Sequence, residues 1–126
     1  MAKLILKYSM EGLPPGVNSM YRNVPGKGRV LTKEGTAWKK AITDYVTLVV
    51  NQMDPRPVLT KKDRLGIDIV LHTHLPLQFD WDGKVKIIQD CTMKVLGLDD
   101  RHIFHGNVRK VADDEDWFEV SLWRAE

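Results

Sequence analysis

Apolar side chains alternate with polar ones over residues 65–75, a pattern that few folds of this 126-residue chain can accommodate. A period of two predicts a strand with one face buried and one face more exposed. The face that we expect to be buried carries Ile67, Ile69, Leu71, Thr73 and Leu75. The opposite face carries Asp68, Val70, His72 and His74. Such a strand has to pack its apolar face against other elements, so we next sought helices that could cover it.

Two further stretches have helical periodicity. The first begins after Thr32, a good capping residue, and its apolar stripe consists of Trp38, Ala41, Ile42, Tyr45, Leu48 and Val49. The second is predicted from about Asp82 to Leu96, and Gly97 is placed to end it in the left-handed conformation. Both helices are long enough to cover one face of a small sheet.

The remaining segments complete a mixed sheet. Lys3–Met10 is predicted as a first strand, residues 11–31 as a long loop rich in glycine and proline, and residues near 108–111 and 117–123 as two closing strands. The acidic run Asp113–Asp116 is predicted to form the turn between the last two. The expected fold is therefore α/β of the α+β kind, a small mixed β-sheet with two main helices, in the order β-α-β-α-β-β within a single domain, 1–126.

Charge is unevenly distributed along the chain, although the net charge is only +2. Residues 1–40 contain eight basic and two acidic residues, and this excess favours a polyanionic partner such as nucleic acid. The candidate DNA contacts are Arg22, Lys27, Arg29, Lys33, Lys39 and Lys40. No apolar run reaches the roughly 18–20 residues of a membrane span, and the single cysteine, Cys91, fits a reducing compartment. We therefore expect a cytoplasmic protein with no membrane partner.

Carboxylates cluster in the sequence around the start of the second predicted helix. Asp80 and Asp82 are two residues apart, so an extended backbone would point both the same way, and Lys86 follows one helical turn later. Asp99 and Asp100 follow where that helix ends. Converging carboxylates favour a hard cation such as Mg²⁺, and a carboxylate-bound Mg²⁺ beside a lysine suits phosphodiester hydrolysis. Each part alone is equally typical of a helix cap, a turn or a solvated lysine.

In these residues the chain resembles the RusA-type Holliday junction resolvases, the crossover junction endodeoxyribonucleases of bacteria and phages. Asp80, Asp82 and Lys86 match the family's central pattern, Asp90 matches a further helix aspartate, and Asp100 matches its last catalytic acid. Residues 14–22, Pro-Pro-Gly-Val-Asn-Ser-Met-Tyr-Arg, and residues 28–38 resemble the family's two N-terminal segments.

The resemblance implies a mixed α/β fold, a homodimer and paired nicks in branched DNA, the four-way junction. It also implies Mg²⁺, for which Mn²⁺ can substitute, held by Asp80, Asp82 and Asp100, with Lys86 completing the catalytic set. The sequence departs from the family in two places. Gly83 stands where the family usually has asparagine, and the interval from Lys86 to the acidic pair is about one residue short, which leaves Asp99 and Asp100 as alternatives.

Other functions remain open at this point. A non-catalytic nucleic-acid-binding module would need the basic N-terminal half and no acidic cluster. A zinc hydrolase could use the histidines and the cysteine, but their spacing matches no zinc pattern. The residues concerned are His72, His74, Cys91, His102 and His105. Tryptophans could stack on bases, although Trp38 and Trp81 are expected to pack in or beside the core.

Overall fold

A four-stranded sheet with two helices on one face forms the body of the molecule. The computed structural model describes residues 3–78 and 83–125, and only the backbone of residues 17 and 18. In chain order the elements are β1 (Lys3–Glu11), α1 (Val17–Met20), β2 (Tyr21–Val24), β3 (Gly28–Leu31), α2 (Lys33–Asn51), β4 (Leu65–Thr73), α3 (Val85–Val95), a 3-10 turn (Asp100–His102), β5 (Ile103–Ala112) and β6 (Trp117–Arg124).

The main sheet is mixed, with the strand order β1-β6-β4-β5. β6 runs antiparallel to both β1 and β4, whereas β4 and β5 are parallel. A parallel pair needs a crossover, and the segment carrying α3 provides it. The predicted class, a mixed sheet with two main helices, is confirmed. The predicted order is incomplete, because α1 and the hairpin β2–β3 lie between β1 and α2.

The prediction of a structureless loop over residues 11–31 is wrong. Tyr21–Val24 and Gly28–Leu31 pair as an antiparallel hairpin, and Gly26 and Gly28 have φ values of 80° and 77°, which only glycine adopts readily. Pro25, Gly26 and Gly28 form the tight turn between these two short strands, whereas residues 12–16 are irregular, as the loop prediction required. The hairpin is joined to α2 by the backbone of Thr32, which donates to the Met20 carbonyl at 2.9 Å.

The start of α2 and the end of α3 lie where the sequence predicted them. The Thr32 hydroxyl accepts a hydrogen bond of 3.1 Å from the Gly35 backbone N–H at the start of α2. Gly97 has φ 75° after α3, and the next residue, Leu98, donates to the Met93 carbonyl at 3.0 Å. This is the hydrogen-bond pattern of a glycine-terminated helix. α3 begins at Val85, after a turn at Gly83 and Lys84, so the helix starts later than the predicted Asp82, a residue that itself lies outside the described ones.

The core lies between the sheet and the two helices. β4 alternates as predicted over Leu65–Thr73, and its inward residues are buried with those of β6 and one face of each helix. The strand ends before Leu75, which we expected to be buried and which is 48% exposed. The largest fully buried side chains of the core include Leu6, Ile42, Ile69, Leu71, Ile88, Met93, Phe118 and Leu122. Met20, Val46, Val50 and Met93 are also buried in this core and leave no apolar surface for a second copy to cover. No helix in the described ranges is long and apolar enough to cross a membrane.

Candidate nucleic-acid interface and acidic site

The predicted acidic site is described only from Gly83 onward. Asp80 and Asp82, the first two predicted metal ligands, lie outside the described residues, as does Trp81. The described residues that the sequence assigned to the site are Gly83, Lys86, Asp90, Asp99 and Asp100. Their geometry therefore comes from the first turns of α3 and from the 3-10 turn that follows it.

The segment around Pro14 packs against the residues that lead into α3. The Lys84 ammonium donates a hydrogen bond of 2.7 Å to the Pro14 carbonyl. A Cβ atom on Gly16 would lie 3.8 Å from the Gly83 carbonyl oxygen. Burial of Lys84 lowers the pKa of its ammonium below the ordinary lysine value. Two segments that the sequence singled out far apart along the chain are thus in contact at the start of α3.

Lys86 lies on the first turn of α3 and carries a firmly held positive charge. Its ammonium is 3.2 Å from Asp90, one helical turn later. The hydrogen bond and charge of Asp90 raise the pKa of Lys86, and the charge of Asp100 adds to the effect. The 3-10 turn that carries Asp100 contacts α3, the helix on which Lys86 lies.

Asp99 and Asp100 have different surroundings. The Asp99 carboxylate accepts hydrogen bonds of 3.0 Å from both the backbone N–H and the Nε of Arg101, and it lies 2.8 Å from that guanidinium. These contacts with Arg101 lower the pKa of Asp99. Among the described residues, no ion-pair partner lies within 4.0 Å of the exposed Asp100 carboxylate. Asp99 is therefore occupied as the cap of the 3-10 turn, and Asp100 is the available acid.

A small hollow of about 150 Å³ lies beside Lys86, with Tyr21 in its wall. The Arg29 guanidinium lies over the Tyr21 ring, 4.6 Å from its centre. The Lys39 ammonium is 5.7 Å from the same centre and donates a hydrogen bond of 3.4 Å to the Tyr21 hydroxyl. The other residues that line the hollow are Pro15, Met20, Gly83, Ile87 and Asp90. An aromatic ring beside two cations can hold a phosphate or a nucleotide.

A second basic hollow of about 530 Å³ adjoins the start of α2. Arg22, Lys33 and Lys40 line it, so the structure distributes five of the six predicted DNA contacts over two hollows. Lys27, the sixth, is exposed in the turn between β2 and β3. Lys40 also forms an ion pair of 2.6 Å with Asp44, which offsets part of its charge.

The zinc hypothesis does not fit the described residues. Cys91 is buried in the core, whereas His72 points to the opposite face of the sheet and stacks on Trp117, with ring centres 3.7 Å apart. His72 and His74 instead lie 2.7 Å from Glu119 and Asp116. Within residues 3–78 and 83–125, no group of three or more histidine, cysteine or acidic residues is arranged to hold a metal ion.

The sequence prediction missed two features. One is the contact of Tyr21 with Arg29 and Lys39, which depends on the hairpin. The other is a groove of about 540 Å³ next to the 3-10 turn, lined by the basic stretch Lys61–Arg64, by Gly97–Asp99 and by Arg101, His102 and Phe104. The run Lys61-Lys62-Asp63-Arg64 is visible in the sequence, but it lies outside residues 1–40, on which the charge argument rested.

Comparison with models of known protein families and with curated protein sequences returns no match. Any function therefore has to be inferred from the site itself. The described part of that site combines an ion-paired lysine, an available aspartate and two cationic hollows, one of which contains an aromatic ring. This chemistry is suited to binding a phosphate-containing polymer.

Proposed function

We propose that this chain is a metal-dependent endodeoxyribonuclease that cuts branched DNA, as RusA-type resolvases do. One observation carries the proposal: the Pro14–Gly16 segment contacts the residues that lead into α3, and the 3-10 turn that carries Asp100 contacts the same helix, on which Lys86 lies. Pro14 and Lys84 are 70 residues apart in the chain. A shared active site requires these segments to meet, whereas a residue that only caps a helix does not.

The donor set suits the proposed metal. Asp100 offers an exposed carboxylate on the turn after α3, and the sequence places Asp80 and Asp82 within three residues before Gly83, ahead of the same helix. Carboxylate oxygens are the ligands that Mg²⁺ prefers, and Mn²⁺ accepts the same set. When bound, the ion would polarise a phosphate and activate water. We assign Asp100, rather than Asp99, to this set because Arg101 occupies Asp99.

Lys86 and the Tyr21 hollow supply the remaining parts of the proposed mechanism. A phosphodiester gains negative charge as its bond to the leaving oxygen breaks, and the Lys86 ammonium is placed to stabilise that charge. Arg29 and Lys39, which both contact the Tyr21 ring, would hold the neighbouring phosphate and sugar in position. The hollow around Arg22, Lys33 and Lys40 would extend the contact along the backbone.

A homodimer is part of the same proposal. A four-way junction has two equivalent strands to cut, and a two-fold symmetric protein would present one site to each. Ala41, Tyr45 and Leu48 form an exposed stripe on α2, and Tyr45 and Leu48 leave 37% and 51% of their surface accessible. This stripe is a surface that a second copy could cover. Sedimentation at micromolar protein would detect the dimer.

A cleavage assay tests the activity. Linear, forked and four-way DNA are each incubated with the protein in Mg²⁺ and in a chelator. We expect nicks in branched DNA only with the metal, and none with Asp82→Asn or Asp100→Asn. Asp99→Asn should retain most of the activity, and Asp114→Asn, an exposed carboxylate in the turn before β6, serves as the matched control. A wild-type protein that binds branched DNA and never cuts it would be a nucleic-acid-binding module instead.

A further inference from the structure

A second surface, lined by the neighbours of Asp100 in the chain, has the composition of a single-strand binding site, and it lies outside the basic region of residues 1–40. Its centre is the groove of about 540 Å³ between the turn at residues 60–64 and the segment at residues 97–104. We propose that this groove binds an unpaired DNA strand, with Phe104 as the stacking platform for a base and Lys61, Lys62 and Arg64 as its phosphate contacts. The choice of DNA rests on the proposed function.

Phe104 is unusual among the aromatic residues described here. It lies on β5, the edge strand of the sheet, and 58% of its surface is exposed. The Arg64 guanidinium lies 5.2 Å from the centre of its ring. An exposed aromatic ring beside a guanidinium offers both stacking and charge to a nucleotide. Bases within a duplex already stack on both faces. An exposed ring such as that of Phe104 therefore favours unpaired bases.

The basic turn is built so that its cations remain available. Asp63, the one carboxylate within it, lies 3.3 Å from Arg124, and it also accepts a hydrogen bond of 2.7 Å from the Thr60 backbone N–H. The charge of Asp63 is therefore directed at Arg124 and not at the lysines of the turn. In the described parts of the chain, no carboxylate lies within ion-pair distance of Lys61, Lys62 or Arg64.

The turn is also fixed to both the sheet and the 3-10 turn. Arg124 donates a hydrogen bond of 3.2 Å to the Val58 carbonyl, and the Ala125 backbone N–H donates to the Arg64 carbonyl at 2.8 Å. His102 Nδ1 lies 3.1 Å from the Asp63 carbonyl. The groove is thus a preformed surface rather than a loose charged loop, which lowers the entropy cost of binding.

Its position relates the groove to the acidic site. Asp99 and Arg101, the two neighbours of Asp100 in the chain, line the groove. A DNA strand held at Asp100 would therefore lie next to it. At a branch point, unpaired or unstacked bases are available for such a contact.

Binding of a short single strand that contains 2-aminopurine, measured in a chelator, tests the proposal. We expect Phe104→Ala to remove the fluorescence quenching and to weaken binding roughly 5- to 150-fold, since stacking on one aromatic ring contributes about 1–3 kcal/mol per base. Phe104→Trp should preserve both signals. Leu77→Ala, which alters a side chain that is 93% exposed, is the matched control and should bind like the wild type.

The lysines give an independent measurement. Lys61→Ala combined with Lys62→Ala should flatten the slope of log K against log salt by about 1.4 for single-stranded DNA, while Lys3→Ala with Lys7→Ala should leave it unchanged. Wild-type quenching and affinity in Phe104→Ala would overturn the proposal, even in a protein that cuts branched DNA. A protein that cuts nothing, yet binds the strand through Phe104, would contradict the nuclease proposal and support this one.

Discussion

The ammonium of Lys84 donates a hydrogen bond of 2.7 Å to the carbonyl oxygen of Pro14, 70 residues earlier in the chain. Pro14 is buried, and Lys84 is partly buried beside it. This single contact joins the N-terminal segment to the residues that lead into α3. The Tyr21 hollow follows from it, because Pro15 and Gly83 both line that hollow.

Replacing Lys84 with methionine should therefore affect both stability and binding. The variant removes a charged donor and leaves a buried carbonyl without this partner, at a cost of about 1–3 kcal/mol in the free energy of unfolding. Urea denaturation measures that loss, and a DNA titration should show weaker binding because the wall of the hollow loosens. Lys94→Met, an exposed lysine later in α3, is the control. Equal unfolding free energies for the two variants would contradict the importance of this contact.

Lys86→Ala should lower the cleavage rate more than it lowers DNA affinity. A lysine that acts on charge developing in the transition state affects kcat, whereas one that only touches phosphate affects binding and its salt dependence. Single-turnover cleavage at saturating protein, beside equilibrium binding in a chelator, separates these effects. Equal rates for the variant and the wild type would remove Lys86 from the catalytic residues.

Asp90→Asn should shift the pH dependence of cleavage without abolishing it. Asp90 is the main cause of the raised pKa of Lys86, so its neutralisation lowers that pKa. The lysine then loses its proton at a lower pH, and the alkaline limb of the rate profile should move in the same direction. The acid limb should remain where it is. An alkaline limb that moves upward, or stays in place, would contradict the role given to the ion pair.

The features that the sequence predicts correctly are those that depend on residues close together in the chain. The helix after Thr32, the alternation in β4 and β6 and the stop at Gly97 depend on residues within a few positions of one another, and all are confirmed. The hairpin β2–β3 was missed because its strands have only four residues each and its turn glycines are typical of loops.

Two features of the site depend on tertiary contacts and could not be predicted from the sequence. The choice between Asp99 and Asp100 depends on where the Arg101 side chain points, which spacing does not specify. Likewise, the Tyr21 hollow requires both the hairpin and the Lys84–Pro14 contact. The pairing of β5 with β4 rather than β6 is a property of the crossover, and the two strands flanking the turn at 113–116 are not neighbours in the sheet.

Gly66→Ala should destabilise the fold more than a typical surface substitution does. A Cβ atom on residue 66 of β4 would overlap the indole ring of Trp123, which lies across it. Overpacking of this kind costs roughly 1–3 kcal/mol, and the ring has little freedom to move because it also stacks with His105. Chemical denaturation measures the loss.

The neighbouring strand offers a matched control for this substitution. In Gly106→Ala on β5 the new Cβ would meet its nearest atom at 3.8 Å, an ordinary contact. Its stability should therefore remain close to that of the wild type. Combining Gly66→Ala with Trp123→Leu should recover part of the loss, since the smaller side chain relieves the overlap. A Gly66→Ala protein as stable as the Gly106→Ala protein would show that Trp123 does not occupy this position.

Asp116→Asn should reduce stability near neutral pH and have less effect in acid. The Asp116 carboxylate accepts a hydrogen bond of 3.0 Å from the His74 backbone N–H and lies 2.7 Å from its Nδ1. The backbone hydrogen bond, and then the side-chain contact, lower the pKa of Asp116 below its ordinary value of 3.8. A carboxyl whose pKa is lower in the folded state stabilises the fold above the unfolded pKa. That contribution is lost as the pH falls through the folded value.

The wild-type and Asp116→Asn proteins should accordingly differ most in unfolding free energy at about pH 6, and the difference should shrink as the pH falls below about 4. Urea denaturation at a series of pH values measures it. Asp114→Asn, in the same exposed turn, controls for the loss of one negative charge. A difference that stays constant or grows in acid would mean that the carboxylate of Asp116 does not secure the end of β4 through His74.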